Sequence, residues 1–232
     1  MAENASKGHP SGKRRVEKTS TSTALELHEA HRKRVTKSDV LREATRLFAE
    51  KGYDGLTMGE LATRVGLRKA SLFHHFPTKD ALYERVLATL VEAVEAAVFR
   101  ALTTDDSAVA RLDSLSDAIT AALGAHPHAA RLLVGEAIHG GPLMREILGS
   151  KIDALLSSAR EFVRIGQGQG VFDRELDPTH VVLTIAGAHF IPFAVEDIVH
   201  RFTGAVPAHP AFVGARTVAI REQVRRMLGV RK

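Results

Sequence analysis

The chain has 232 residues, no cysteine, 44% hydrophobic residues and a formal net charge of +5 at pH 7. That length supports one small and one larger domain, and the missing thiols exclude disulfides, thiolate metal sites and cysteine nucleophiles. No apolar run approaches the roughly 18 residues that span a bilayer and the first residues lack a signal-peptide core, so the expectation is a soluble, cytoplasmic protein with no membrane partner.

The basic excess lies at the start. Residues 1–37 hold nine Lys or Arg against four acids, residues 38–90 eight against seven, and residues 91–232 fifteen against sixteen. Residues 1–34, rich in Ser, Thr, Gly, Lys and Arg, cannot bury a core and read as a disordered basic arm. Its clusters Lys13-Arg14-Arg15 and Arg32-Lys33-Arg34 suit a phosphate backbone or a minor groove, and equally suit a solubilising tail.

Residues 35–82 carry the densest pattern. Thr36-Lys37-Ser38-Asp39 has the capping-box form and predicts a helix start. Val40, Leu41, Ala44, Leu47 and Phe48 follow at helical spacing, opposite Arg42, Glu43, Arg46 and Glu50, until Gly52 offers a left-handed stop. A second box, Thr57-Met58-Gly59-Glu60, opens a short helix with Met58, Leu61, Ala62 and Val65 on one face, and Gly66 ends it. The next helical residues begin around Arg68, after the three-to-four-residue break of a helix-turn-helix. On that third, two-turn helix Leu67 and Leu72 are anchors, while Arg68, Lys69, Ser71, Phe73 and His74 point outward. Phosphate donors, base-edge donors and one flat ring together suit a major groove.

Leu56-Thr57-Met58, Leu61-Ala62, Val65-Gly66-Leu67, the run Ala70-Ser71-Leu72-Phe73-His74-His75-Phe76, and Lys79-Asp80-Ala81-Leu82 resemble the N-terminal domain of the tetracycline-repressor (TetR-type) family of bacterial regulators. The resemblance covers residues 36–90. It implies DNA contacts by Thr57, Arg68, Lys69, Ser71, Phe73, His74, His75 and Lys79. Lys79 follows the Thr78 cap, so its charge and the positive end of the next helix act on one phosphate. Arg68 and Lys69 can reach guanine or phosphate; Phe73 meets a thymine methyl or joins the core; His75 is a contact or a buried helix-end group. Family members usually carry Gly or Pro at Ala70, Thr at Ser71, Tyr at Phe73 and often an aromatic at His74, so the operator sequence does not carry over.

Residues 83–232 read as helix throughout. From Thr78 a long helix carries the stripe Leu82, Val86, Leu90, Val94 and Val98, the pattern of a connector between two packed domains. Others are expected from Asp105-Asp106 to Gly124, through Leu132, Leu133, Val134, Ala137 and Ile138, and from Leu143 to Ile165 after the Gly140-Gly141-Pro142 break. The Gly166–Gly170 run should terminate the last of these. Asp177-Pro178 is a cap and N1 pair for a helix over residues 178–202, apolar on nearly every face and bent at Pro192. Residues 211–228 form the last, with a basic end at Arg221, Arg225 and Arg226.

The expected architecture is therefore all-α, an N-terminal three-helix helix-turn-helix domain joined to a larger helical ligand-binding and dimerisation domain. The resemblance implies a homodimer through the two C-terminal helices, an inverted-repeat operator of double-stranded DNA, and a largely apolar small-molecule effector that releases a repressor. Phe99, His126, Glu136, His139, Phe162, His189 and Phe193 are the candidate effector contacts, with His128, Gln167 and Phe190 beside them. No cofactor or metal is expected, and the twelve histidines form none of the spaced motifs of an enzyme. An architectural DNA-binding protein without effector, a regulator holding a metal at His126, His128 and His139, and a His-dependent enzyme stand as alternatives.

Overall fold

The computed structural model describes residues 35–139 and 149–230, the side chains of Leu102 and His139 excepted. The basic arm, the Gly140-Gly141-Pro142 break, the start of the helix expected from Leu143, and the His139 side chain lie outside the described residues. Among those described there are ten helices and no strand, which is the all-α architecture expected.

Helix α1 (Lys37–Gly55) opens on a complete capping box: Asp39 N–H donates to Thr36 Oγ1 at 3.1 Å and Thr36 N–H to Asp39 Oδ2 at 3.0 Å. Val40, Ala44, Leu47 and Phe48 are buried. Gly52 does leave helical space (φ 72, ψ 175), but it kinks the helix instead of ending it. The turn beyond is held by Tyr53, whose ring packs against Phe48 at 6.1 Å and Tyr83 at 5.1 Å. Helix α2 (Met58–Val65) starts at Thr57, yet only half of its box forms, because the Glu60 carboxylate goes to Lys51 Nζ at 2.5 Å. Gly66 (φ 71) closes it with two amide bonds, Gly66 to Thr63 and Leu67 to Ala62, that satisfy its last carbonyls.

Helix α3 (Lys69–His75) buries Leu72 alone, and α4 (Lys79–Thr103) is capped by Thr78. At 25 residues α4 is about 37 Å long. Leu82, Val86, Leu90, Val94 and Val98 are all buried. Its start packs on α1, and it also packs against α5 (Ala108–Ala125), α6 (Pro127–His139) and α7 (Gly149–Gly168). Helix α5 begins later than Asp105-Asp106 suggested, because the Ser107 hydroxyl takes the Ala110 amide at 3.2 Å.

The glycine run divides its labour. Gly166 lies inside α7, where a Cβ would sit 2.1 Å from the Phe172 ring, so it lets that ring approach the helix; Gly170 (φ 72) makes the left-handed turn. Asp177 caps α8 (Pro178–Ala194) by accepting from the Thr179 and His180 amides, which hold its carboxyl below its ordinary value.

The single helix expected over residues 178–202 is two, α8 and α9 (Glu196–Thr203), meeting at 80° across Val195. Pro192 has no N–H for the Ala188 carbonyl four residues back. Arg216 of α10 (Pro210–Met227) supplies the donor from another helix, with Nη2 2.6 Å from Ala188 O. Two further arginines tie α10 to α5, Arg221 Nε to Asp117 at 3.1 Å and Arg225 Nε to Asp113 at 2.8 Å, each with a second contact from Nη2. The basic end read from sequence is thus mainly an interhelical clamp. No single described helix is long and apolar enough to cross a membrane.

The Arg216 contact makes a testable pairing. Arg216→Met should lower stability by about 1–3 kcal/mol, the cost of an orphaned carbonyl. In a Pro192→Ala background, where an amide is restored to Ala188, the same change should cost measurably less. Denaturant unfolding of the four proteins checks it, and equal losses in both backgrounds would refute the pairing.

Candidate DNA-binding surface and internal cavity

Helix α3 presents almost all of itself to solvent. Lys69, Ser71, Phe73, His74 and His75 are exposed, as are Arg68 at its N-cap and Thr57 at the start of α2. Phe73 is 37% exposed with Lys69 Nζ 5.8 Å from its ring centre, so it is not part of the core; Phe76 is the aromatic that the fold buries, under Lys37 Nζ. His75 is not a buried helix-end group, and its ring meets that of His74 edge-on at 5.7 Å.

Lys79, half-buried, stands at the first turn of α4 with Nζ 4.2 Å above the Tyr53 ring. Tyr53 donates to the Asp80 carboxylate, and burial first, then that carboxylate, pushes its phenol up to about 12. Tyr53 therefore remains a protonated, anchored platform under the ammonium. The two α1 arginines are neutralised locally: Arg46 pairs with Glu43 and Glu50, and Arg42 with Asp39. Arg68, Lys69 and Lys79 enter no ion pair among the described residues, which leaves their charge on the face of α3 available to phosphate. Tyr53 and Lys37 were not identified from sequence, because a stacked platform joins residues of different helices.

A cavity of about 330 Å³ lies between α4, α5, α6, α7 and α8. Val94 and Val98, Leu115 and Ile119, Leu133 and Val134, Leu155 and Phe162, and Ile185 and Phe190 form successive parts of its wall. Leu115 and Ile119 on α5 stay half-buried, since they face this space.

His189 is the one polar or titratable residue among the described residues that line the cavity. It is 2% exposed, its Nδ1 is 2.9 Å from the Ile185 carbonyl, and its Nε2 is buried without a hydrogen-bond partner. Burial chiefly, with Arg216 adding repulsion, pushes the imidazolium below its usual range, so the ring is neutral.

The other candidates scatter. Phe162 lines the cavity, with the Arg111 guanidinium 5.4 Å from its ring centre on the side of α5. Glu136 does not line it; its carboxylate accepts from the Tyr83 hydroxyl at 2.8 Å, joining α6 to the start of α4. That bond and, more strongly, burial raise the Tyr83 phenol well above its usual value. Phe193 is buried away from the cavity, edge-on to Phe212, and Phe99 stands 69% exposed. His126 is half-buried at the α5–α6 junction, and Gln167 donates to the Asp173 and Leu176 carbonyls at 2.8 Å. His128 is half-buried outside the wall. Polar side chains in apolar segments are mostly consumed by junctions and interhelical bonds. No group of three His, Asp or Glu suited to a metal occurs among the described residues.

A helix-turn-helix with a solvent-facing second helix, carried on a long helix into an all-helical domain around an apolar cavity, defines a DNA-binding regulator. Residues 40–86 match the model for bacterial regulatory proteins of the tetR family, and residues 109–224 that for the tetracyclin repressor-like C-terminal domain. The chain belongs to the TetR family of bacterial regulatory proteins and is a DNA-binding transcriptional regulator. It is similar to the transcriptional regulator RutR of Escherichia coli K12, 27% identical over 171 residues, 73% of this chain and 79% of RutR. Over 49 residues it is 45% identical to IcaR of Staphylococcus aureus strain Newman, a negative transcriptional regulator of a biofilm operon; the match spans 21% of this chain and 26% of IcaR. The fold is shared with AibR in complex with isovaleryl coenzyme A and operator DNA, at TM-score 0.65, 19% identity, and coverage of 84% of this chain and 98% of AibR.

Lys79→Ala should weaken DNA binding across all sequences and reduce the slope of log affinity against log salt by about one, whereas Arg68→Ala, if that side chain reads a base, should relax preference at one position. Fluorescence anisotropy across a salt series measures both. Unchanged affinity for both variants would displace the contact face from α3 and the start of α4.

Proposed function

We propose that the chain is a repressor which holds an inverted-repeat operator as a homodimer and releases it when a small, largely apolar molecule occupies the cavity. The observation that carries this is the double attachment of α6. Leu133, Val134 and Ala137 form cavity wall, while Glu136, on the same helix, holds Tyr83 against Phe48 of the DNA-binding unit (ring centres 4.7 Å apart). A molecule that moves the wall moves the seat of α1 and α4. A coupling of about 1–3 kcal/mol is enough for a useful change in operator occupancy.

The homodimer is supported by the apolar side chains left exposed on the C-terminal helices: Leu183 and Ile191 on α8, Ile198 and Phe202 on α9, and Val218 on α10, with Phe202 90% exposed. Two copies would place recognition helices about 34 Å apart, in successive major grooves. Repression follows the likeness of the helix-turn-helix segment to IcaR, and a DNA-bound, effector-binding relative exists in AibR. We place the regulator in the cytoplasm with its operator and assign it no catalytic chemistry, a reading supported by the other described residues lining the cavity around His189, which are aliphatic or phenylalanine.

The test is to recover the fragments bound from the organism's DNA and footprint the full-length protein on them. An inverted repeat should be protected, and small apolar molecules from a cell extract should abolish that protection; equal protection with and without them would leave an effector-independent binder. Replacing Ile198 and Phe202 together by Asp should convert the dimer into monomers by sedimentation and lower operator affinity at least about tenfold, as expected when one of two half-site contacts is uncoupled. Unchanged sedimentation would move the interface elsewhere.

A further inference from the structure

The cavity has a chemical preference beyond being apolar, set by one ring nitrogen. A carbonyl oxygen can only accept, so the 2.9 Å contact between His189 Nδ1 and Ile185 O places a proton on Nδ1. In a neutral imidazole the other nitrogen, Nε2, then carries a lone pair and no hydrogen. That atom is buried, has no partner, and belongs to the one polar residue among the described residues of an otherwise aliphatic and aromatic wall. The Ser116 carbonyl on α5 also faces this ring, but it already accepts the Thr120 hydroxyl at 2.8 Å and lies outside hydrogen-bond geometry with Nε2. Among the described residues no donor lies within hydrogen-bond geometry of Nε2.

We infer that the effector is a neutral molecule bearing a hydroxyl group, whose O–H donates to His189 Nε2 while its apolar body fills the space between Phe162 and Phe190. This rests on the reading of the cavity as the effector site. A carboxylate finds no Lys or Arg among the described lining residues to match its charge, and a ketone or ether brings only a second acceptor to Nε2. Size narrows the class further. An apolar cavity of about 150 Å³ holds benzene, so one of 330 Å³ takes a body about twice as large, on the order of a dozen non-hydrogen atoms. Alkylphenols and medium-chain or cyclic alcohols fit this description.

The test needs no substitution in the core. Three probes of nearly equal size are titrated into the wild-type, full-length protein by calorimetry: para-butylphenol, para-butyltoluene, which has a methyl in place of the hydroxyl, and para-butylanisole, whose oxygen only accepts. The phenol should bind roughly tenfold to a hundredfold more tightly than either of the others, the factor expected for leaving a buried acceptor unmatched. Nitrogen-15 NMR of histidine-labelled protein should show the His189 Nε2 resonance, and not Nδ1, shifting when the phenol binds. In His189→Phe the phenol should lose its advantage over the toluene; should that variant not fold, the wild-type affinities and the NMR shift decide alone.

Equal binding of all three probes, or tighter binding of the anisole, overturns the hydroxyl assignment while leaving the cavity as the effector site. Binding by none of them, together with operator release by some other molecule that leaves the His189 resonances unmoved, overturns the cavity reading itself and this inference with it.

Discussion

Everything in this protein depends on one continuous helix being buried by two different partners. The stripe from Leu82 to Val98 recurs every fourth residue and so winds around α4, and the helix is buried against α1 as well as against α5, α6 and α7. A helix closed by hydrogen bonds along its length does not bend freely. A shift at its cavity end is therefore delivered to the DNA-binding unit as a movement of the whole element. Tyr83 is the seat of that lever, with its ring against Phe48 and Tyr53 and its hydroxyl on Glu136. The polar bond in an otherwise apolar seat gives it one preferred arrangement, since sliding α4 along α6 would strand a buried phenol and a carboxylate.

The second constraint is the space the C-terminal domain leaves unfilled. Its described lining is almost wholly apolar, so a molecule that fits gains by burying its own apolar surface there, and occupancy and the preferred packing of α4 to α8 are linked. The same domain is fastened by contacts outside the cavity wall. Arg221 and Arg225 fasten α10 to α5, Arg216 repairs the carbonyl that Pro192 leaves open, and Gly166 admits the Phe172 ring.

The DNA-binding unit was legible from sequence because its signals are local. A capping threonine and its acid sit three residues apart, Gly66 takes the left-handed angle its own chemistry allows, and Leu72 is the one apolar anchor between outward-facing neighbours. Where competition between residues distant in sequence decides, the reading fell short. Glu60 leaves its box for Lys51, Gly52 leaves helical geometry but is followed by a further turn to Gly55, and residues 178–202 form two helices that meet across Val195. The cavity was the least legible part. Of the effector candidates with described side chains, Phe162 and His189 line it, while Glu136, His126, Phe193 and Phe99 do not. An aliphatic side chain facing a void and one facing a packed neighbour are the same letter at the same helical spacing.

The sequence by itself determined the class of fold, the helix-turn-helix, the long connecting helix and the chemistry offered on α3, since all of these follow from caps, periodicity and side-chain type within a few turns of chain. Only the tertiary structure decided which charges are spent within the protein, which polar groups bind their own backbone, and where space is left over. Those depend on five helices meeting around one point, and on the unmatched ring nitrogen of His189, a residue that no local pattern distinguishes from the eleven other histidines.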